Sequence, residues 1–295
     1  MHQHEEHNHY DSASQRIGWA FALNFGFTFV ELIGGLLTNS TAIIADAVHD
    51  LGDCLAIGTA WLLNRLSTKQ ANENYSYGFR RFSLLGALIN SLVLIVGSVW
   101  ILIEAIPRLW QPQMPLASGM VVLAIFGVVV NGYAAFKLSK GKTLNEKVLN
   151  WHLLEDVFGW VAVLIVAVIL LFFDLPLLDP ILSIGFTLFI LINVIKNLIE
   201  TTKLFLQATP DTSTREQILA TLSSLDYVQE VHHLHLWSLD GEHHVLTAHL
   251  VLEKEVDHAT QVDIKKQIAL HLQRYDLAHT TIEFELPDEF CRDTT

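Results

Sequence analysis

The stretch Ala45-Asp46-Ala47-Val48-His49-Asp50-Leu51-Gly52-Asp53 places three carboxylates and one imidazole inside an apolar segment of the chain. A second stretch, Asn150-Trp151-His152-Leu153-Leu154-Glu155-Asp156, opens another apolar segment. Both contain the spacing His-x-x-x-Asp, at His49/Asp53 and at His152/Asp156. Residues four apart share one face of a helix. Each segment is therefore predicted to present an imidazole and a carboxylate side by side.

The composition indicates an integral membrane protein with a soluble appendage. Of 295 residues, 51% are hydrophobic and 17% are charged, whereas an average soluble domain carries about 25% charged residues. The formal net charge of −13 argues against nucleic acid as a partner. Cys54 and Cys291 are the only cysteines, which excludes a disulfide scaffold.

Six apolar segments reach the length of about 20 residues that spans a bilayer. They are residues 16–37, 41–64, 82–106, 115–138, 148–173 and 178–205. On one side the connectors 38–40, 107–115 and 174–178 hold a single basic residue, Arg108. The basic residues of the opposite connectors are Arg65, Lys69, Arg80, Arg81, Lys137, Lys140, Lys142, Lys147 and Lys203. This asymmetry predicts that both termini lie in the cytoplasm.

The two His-x-x-x-Asp pairs together predict a metal site between the second and fifth spans. Ionisable groups inside a span are costly and indicate function by default. Two nitrogen and two oxygen ligands suit tetrahedral Zn²⁺, whereas Mg²⁺ and Ca²⁺ prefer six or more oxygens. The alternative is two unrelated hydrogen-bonded polar pairs at helix contacts. Two copies of one spacing in two spans favour the metal site.

The ligand set also predicts how the ion would move. Zn²⁺ with two carboxylates and two neutral imidazoles sums to zero charge, but the vacated site would bury two negative charges. Protons are therefore expected to replace the metal as it leaves. No nucleotide-binding motif supplies another energy source. An intramembrane metallohydrolase would need an open metal position and a general base, so the sequence predicts a transporter and not an enzyme.

Other ionisable residues of these segments carry weaker predictions. Asp46, one turn before His49, is expected to relay protons or to orient His49. Asp50 and Glu155 lie off the ligand faces and are expected to point to water. Glu31 in the first span is either a proton carrier or a group satisfied by a neighbouring helix.

A composition change at Thr209 marks a second region. It predicts three parts: a His-rich cytoplasmic tail (1–15), a six-helix transmembrane domain (16–208) and a cytoplasmic domain (209–295). In the last part the pattern predicts helix 215–225, strands 228–238 and 244–252, helix 259–275 and strand 280–286. The order is αββαβ. The tail histidines His2, His4, His7 and His9 either load metal or belong to a disordered, solvated terminus.

These features resemble the cation diffusion facilitator family, in particular its bacterial zinc-efflux members. The resemblance is carried by residues 40–49, Asp53, Tyr77-Gly78-Phe79-Arg80-Arg81, His152/Asp156, Ala208-Thr209-Pro210 and the run 232–237. It implies six transmembrane helices and a ferredoxin-like α+β C-terminal domain. It further implies a homodimer in the bacterial inner membrane that exports Zn²⁺ in exchange for protons, without an organic cofactor. Cd²⁺, Co²⁺, Fe²⁺ and Mn²⁺ remain alternative substrates.

The resemblance also implies a second, regulatory metal site in the cytoplasmic domain. Matching the family motif selects His232, His249 and Glu285, with His258 as a further candidate. Strand alternation predicts that His232 lies on the face opposite His233 and His235. The alternative is that these are ordinary surface histidines of an acidic domain.

Overall fold

A computed structural model describes residues 3–67, 71–139 and 144–293 of the chain. Six long helices come first: α1 (Gln3–Thr38), α2 (Thr41–Ser67), α3 (Phe82–Ala105), α4 (Ala117–Leu138), α5 (Leu144–Phe172) and α6 (Leu178–Phe205). They are followed by α7 (Thr212–Ser223), β1 (Val228–Ser238), β2 (His244–Leu252), α8 (His258–Leu272) and β3 (Leu277–Glu285). Short 3-10 turns cover Pro107–Leu109 and Gln273–Tyr275.

The six long helices form the predicted transmembrane domain. Among the described residues, five of them are long and apolar enough to cross a membrane by composition alone, namely α1, α3, α4, α5 and α6. The sixth is α2, whose 27 residues extend about 40 Å at 1.5 Å per residue. Asp46, Asp50 and Asp53 lower its hydropathy. The helix is thus polar because it carries the candidate ligands, and the prediction of six spans is confirmed.

The first helix differs from its predicted extent. It begins at Gln3 instead of near residue 16, so the tail that was expected to be disordered continues the helix. Extending a formed helix costs much less than nucleating one. The side chains of His4, His7 and His9, like Lys69, Lys140 and Lys142, lie outside the described part of the chain.

A tight corner joins α1 to α2. Asn39 adopts a left-handed conformation with φ of 54°, and the Ser40 amide donates to the Gly35 carbonyl, which closes the C-terminus of α1. Ser40 then caps α2, because its hydroxyl oxygen accepts the Ile43 amide at 3.2 Å. This corner fixes where α2 begins, at Thr41, about two turns before His49.

Contacts group the chain into two compact units. The first contains residues 1–59 and 89–197, and the second contains residues 60–88 and 198–295. The core of the first unit is formed by side chains of α1, α2, α4 and α5, with Trp160 fully buried at its centre. Gly127 of α4 makes room for it, since a Cβ there would lie 2.3 Å from the indole ring.

In the second unit α7, α8 and the strands form the predicted αββαβ domain. The sheet order is β1-β2-β3, with β1 and β2 antiparallel and β2 and β3 parallel. Apolar side chains of α7 and α8 pack on the strands in one core, including Ile218, Leu222, Leu250, Ile264 and Ile268. Asp211 and Asp257 cap the two helices through hydrogen bonds to backbone amides. The predicted domain boundary at Thr209 stays a prediction.

Candidate metal centres

The two His-x-x-x-Asp pairs meet between α2 and α5. His152 Nε2 of α5 lies 3.0 Å from Asp53 Oδ2 of α2. Asp53 Oδ2 in turn lies 3.5 Å from His49 Nε2 on its own helix. The two imidazole rings are 6.0 Å apart between centroids. His49, Asp53 and His152 therefore each offer one ligand atom, and these three atoms lie within 4.8 Å of one another.

Asp156 stands next to this group. Its Oδ2 lies 3.8 Å from His152 Nε2, and its side chain is only 4% exposed, against 21–27% for the other three side chains. It is not among the atoms that meet within 4.8 Å. The structure thus brings together three of the four predicted ligands and places the fourth beside His152.

The polar atoms of this site converge without being hydrogen-bonded to one another. Asp53 Oδ2, His152 Nε2 and Asp156 Oδ2 are buried and make no hydrogen bond of acceptable geometry within the described residues. Buried polar atoms left in this way cost free energy. A cation placed among their lone pairs would relieve that cost, and a 2N/2O donor set is one that Zn²⁺ accepts.

The position of α2 depends on a residue that the sequence did not single out. Asp179, 1% exposed at the start of α6, accepts the Thr41 amide and the Thr41 hydroxyl, both at 2.8 Å. It also accepts the Ser40 hydroxyl at 2.5 Å and the Ala42 amide at 3.3 Å. One carboxylate on α6 thereby satisfies two of the free N–H groups at the start of α2, those of Thr41 and Ala42. The only sequence signal is an acidic residue in the first turn of an apolar helix.

Close packing brings α3 against the ligand-bearing part of α2. A Cβ at Gly52, which lies directly before Asp53, would approach the Leu94 side chain of α3 to 2.1 Å. A Cβ at Gly97 of α3 would approach Val48 to 2.5 Å. Small residues of this kind let transmembrane helices approach each other.

Further carboxylates surround the site. Glu31 and Asp50 are 0% and 1% exposed, and their carboxylate oxygens accept no hydrogen bond among the described residues. The expectation that Asp50 points to water was therefore wrong, because its side chain is buried, with Glu31 of α1 close by. Glu155 is exposed, as expected. Asp46 faces α5, where a Cβ at Gly159 would lie 3.7 Å from its Oδ1.

The second group of candidate ligands lies on β1, β2 and β3. Glu285 joins two histidines: its Oε2 is 2.8 Å from His232 Nε2, and its Oε1 is 2.7 Å from His249 Nδ1. Cys291 is a fourth member that the sequence did not suggest, with Sγ 3.5 Å from His249 Nδ1. Atoms of these four side chains lie within 4.8 Å of one another. His258 is exposed at the start of α8 and is not in this group.

In this second group the carboxylate loses its proton more readily than the thiol, so it is the better prepared metal ligand. Burial acts to raise the pKa of Glu285, but hydrogen bonds from His249, Cys291 and His232 together outweigh it and hold that pKa below its usual value. Burial and the neighbouring carboxylates raise the pKa of the Cys291 thiol. The thiol would have to lose its proton to ligate an ion.

A β-bulge in β1 makes the predicted orientation of the His233 side chain wrong. His232 pairs with His249, but the next pair is His235 with Thr247, so β1 holds one extra residue. His233 occupies the bulge with φ of 47°. Its ring centroid lies 5.1 Å from that of His232 and 5.2 Å from that of His249. His233 therefore lies beside the second group and not on the opposite face, because alternation fails where the ladder is interrupted.

The fold combines a bundle of long apolar helices, which carries candidate metal ligands, with a small αββαβ domain. This combination is typical of a class of membrane transporter, and comparison with known proteins agrees. Residues 19–206 match the family model described as the cation efflux transmembrane domain. Residues 210–286 match the model of the cation efflux protein, cytoplasmic domain. The chain belongs to the cation efflux family, also known as cation diffusion facilitators, whose members are metal transporters and not enzymes.

Several curated relatives align over nearly the whole chain. A protein of Pectobacterium atrosepticum named zinc transporter ZitB is 32% identical over 97% of this chain and 91% of its own length. A Bacillus subtilis protein named cadmium, cobalt and zinc/H(+)-K(+) antiporter is 31% identical over 95% of this chain and 91% of its own length. The metal cation efflux system protein CzcD of Cupriavidus metallidurans is 31% identical over 95% and 89%.

Proposed function

We propose that this protein exports Zn²⁺ from the cytoplasm in exchange for protons, with His49, Asp53, His152 and Asp156 as the ligands in transit. The observation that carries this proposal is the convergence of three of these side chains, from two helices, around buried atoms that lack hydrogen bonds. The name of the Pectobacterium relative supports zinc as the ion. Cd²⁺, Co²⁺, Fe²⁺ and Mn²⁺ are the alternative substrates, and the Bacillus relative is named for three metals.

The charges around the site support proton exchange. Besides Asp53 and Asp156, the first unit buries Glu31 and Asp50, and Asp46 faces α5 beside them. A vacated site with these carboxylates ionised would be very unfavourable in a medium of low dielectric constant. Protons that enter as Zn²⁺ leaves would keep the site close to neutral. Asp46 is proposed as the relay, one helical turn from His49.

We further propose a regulatory ion in the cytoplasmic domain, held by His232, His249 and Glu285. Cys291 takes the fourth position that sequence comparison had offered to His258, because its sulfur lies among the other three ligands. The domain belongs to the family's dimer-forming type, so a homodimer is proposed, with both termini in the cytoplasm and the bundle in the bacterial inner membrane.

Transport into proteoliposomes tests the exchange. Purified protein is reconstituted into the membrane of vesicles that contain a pH-sensitive dye. Zn²⁺ is then added outside, with K⁺ either present or replaced by choline. Zn²⁺ uptake should make the interior more alkaline at a matched rate, with or without K⁺. Uptake of Zn²⁺ without any pH change would overturn proton exchange.

The same assay tests the site and the substrate. His152→Ala should abolish uptake, whereas His271→Ala, an exposed histidine on α8, is the matched control and should transport normally. Normal transport by His152→Ala would overturn the site. Competition of Zn²⁺ uptake by Cd²⁺, Co²⁺, Fe²⁺ and Mn²⁺ ranks the alternative ions.

A further inference from the structure

The second unit contains a cavity whose lining includes none of the candidate metal ligands. Its volume is about 420 Å³, and it lies between the segment 74–82, which precedes α3, and Gln207, Trp237 and Leu239. The segment 74–82 leads directly into α3, and Gln207 follows the end of α6 by two residues. The cavity therefore lies beside the N-terminal end of α3 and the C-terminal end of α6.

Two adjacent arginines give this cavity an excess of positive charge. Arg80 and Arg81 both line it, and one guanidinium nitrogen of each is buried without a hydrogen bond among the described residues. Arg80 forms a long ion pair with Asp240, whose Oδ2 is 3.9 Å from Arg80 Nη1. A separation of this kind leaves the N–H groups of Arg80 available for a better acceptor.

Asp240 is also engaged elsewhere. Its oxygens accept the amides of Glu242 and His243 at 3.0 and 2.8 Å, and one of them lies 2.8 Å from His243 Nδ1. These bonds fix the turn between β1 and β2. Gln207, on the other side of the cavity, is neutral. Among the described residues, the lining thus holds two guanidinium groups and no carboxylate, and the nearby Asp240 is largely committed to its own turn.

The chemistry of the lining suits a phosphodiester. Guanidinium groups bind phosphate oxygens through paired, charge-assisted hydrogen bonds. Tyr75, Tyr77 and Trp237 add rings with polar edges, the residue types that concentrate at headgroup depth. A lipid confined to the bilayer is present at a higher local concentration than a free anion in solution.

We propose that Arg80 and Arg81 bind the phosphate of an anionic phospholipid at the membrane surface, and that this lipid joins the connector between α2 and α3 to the αββαβ domain. The motif 77–81 would then serve lipid recognition. This inference stands apart from the identity of the transported ion.

Lipid association measured directly tests this proposal. Full-length protein is reconstituted in phosphatidylcholine vesicles with a trace of spin-labelled phosphatidylglycerol, and the motionally restricted fraction is compared with that of spin-labelled phosphatidylcholine. The wild type should prefer phosphatidylglycerol. Arg81→Gln should lower its relative association about tenfold, as expected for one lost charge-assisted contact, and Arg80→Gln/Arg81→Gln should abolish the preference. Arg274→Gln, in the same unit but outside the cavity, is the control.

A second variant keeps the test decisive if the arginine variants fold poorly. Gln207→Glu adds a carboxylate to the cavity without removing either arginine, and it should also abolish the preference. Unchanged phosphatidylglycerol preference in both the double arginine variant and Gln207→Glu would overturn the proposal. Displacement of the labelled lipid by millimolar inorganic phosphate would overturn the assignment to lipid, since it would identify a site for free anions.

Discussion

The two candidate metal centres use similar ligands on different secondary structure. The intramembrane group takes an imidazole and a carboxylate from each of two helices at i, i+4 spacing. The cytoplasmic group takes two histidines from paired strands, a glutamate from a third strand and a cysteine from the segment after it. The helical pairs were visible in the sequence as a spacing. In the strand group the family resemblance selected His232, His249 and Glu285, whereas only the structure added Cys291.

The difference also concerns charge and access. Among the described residues, the carboxylates of the intramembrane group contact histidines but no lysine or arginine. In the cytoplasmic group the Glu285 carboxylate is already held by two histidines, and Arg292 lies 2.6 Å from the neighbouring Glu283. Under the proposed function, the first group would be emptied by an exchange of cations, whereas the second would lose its ion and keep its hydrogen bonds. The proposal therefore assigns transit to the first group and sensing to the second.

The sharpest test of this contrast replaces one carboxylate in each centre. Asp53→Ala should lower the rate of Zn²⁺ transport by at least about 100-fold, because it removes a ligand held by both helices. Glu285→Ala should retain transport and change only its dependence on Zn²⁺ concentration. Initial rates in proteoliposomes measure both. Equal losses in the two variants would contradict the assignment of separate roles.

Removal of the carboxylate that holds the start of α2 should destabilise the helical part of the molecule. Asp179→Ala leaves the Thr41 and Ala42 amides and the Ser40 hydroxyl without their acceptor, at a cost of about 1–3 kcal/mol. The thermal transition in detergent should fall, and transport should fall with it. Asp174→Ala, an exposed carboxylate in the connector before α6, is the control. A normal transition for Asp179→Ala would show that water replaces the bonds.

A larger side chain at the contact between α4 and α5 should disturb the intramembrane centre without changing a candidate ligand. Gly127→Ala drives a methyl group into the rigid indole of Trp160, which lies one turn after Asp156, and should cost about 1–3 kcal/mol. Gly26→Ala has open space around its Cβ and should be neutral. Zn²⁺ affinity and thermal stability should drop only in the first variant. The cytoplasmic group should bind metal normally in both.

A substitution of Cys291 tests the ligand set of the cytoplasmic group. Replacement by serine should lower the affinity of the cytoplasmic group for Co²⁺ about tenfold and remove the sulfur-to-cobalt charge-transfer band. Cys54→Ser, whose thiol lies against Thr28 in the membrane, should keep that band. Absorption titration of the full-length protein measures both. A band that persists in Cys291→Ser would exclude the thiol as a ligand.

The smallest effect concerns the cap of α7. Hydrogen bonds from the side chains and amides of Ser213 and Thr214 hold the pKa of Asp211 well below its usual value. A lowered carboxylate pKa stabilises the folded state above the unfolded pKa of about 3.9, and this stabilisation is lost as the pH falls through the folded pKa. Hydrogen exchange at the α7 amides should therefore be faster in Asp211→Ala at neutral pH. The difference should shrink below about pH 4. A difference that is constant with pH would point to a lost steric contact instead.

The helical half was largely predictable because each helix satisfies its own backbone hydrogen bonds and reveals its face through spacing. Five of the six spans appeared near their predicted limits, whereas α1 begins at Gln3 instead of near residue 16, and β1 and β2 matched residues 228–238 and 244–252. The errors occurred where a distant element intervened. Asp50 was expected in water, but α1 covers it, and His233 was expected on the opposite face, but a bulge turns it toward His249.

The sequence alone determined that apolar helices carry two imidazole–carboxylate pairs, because helix periodicity is a local property. Only the tertiary structure decided that Asp53 meets His152, that Asp179 holds the first turn of α2, and that Cys291 joins the cytoplasmic histidines. These contacts join residues that are far apart in the chain. Their geometry follows from how helices and strands pack, which no local pattern encodes.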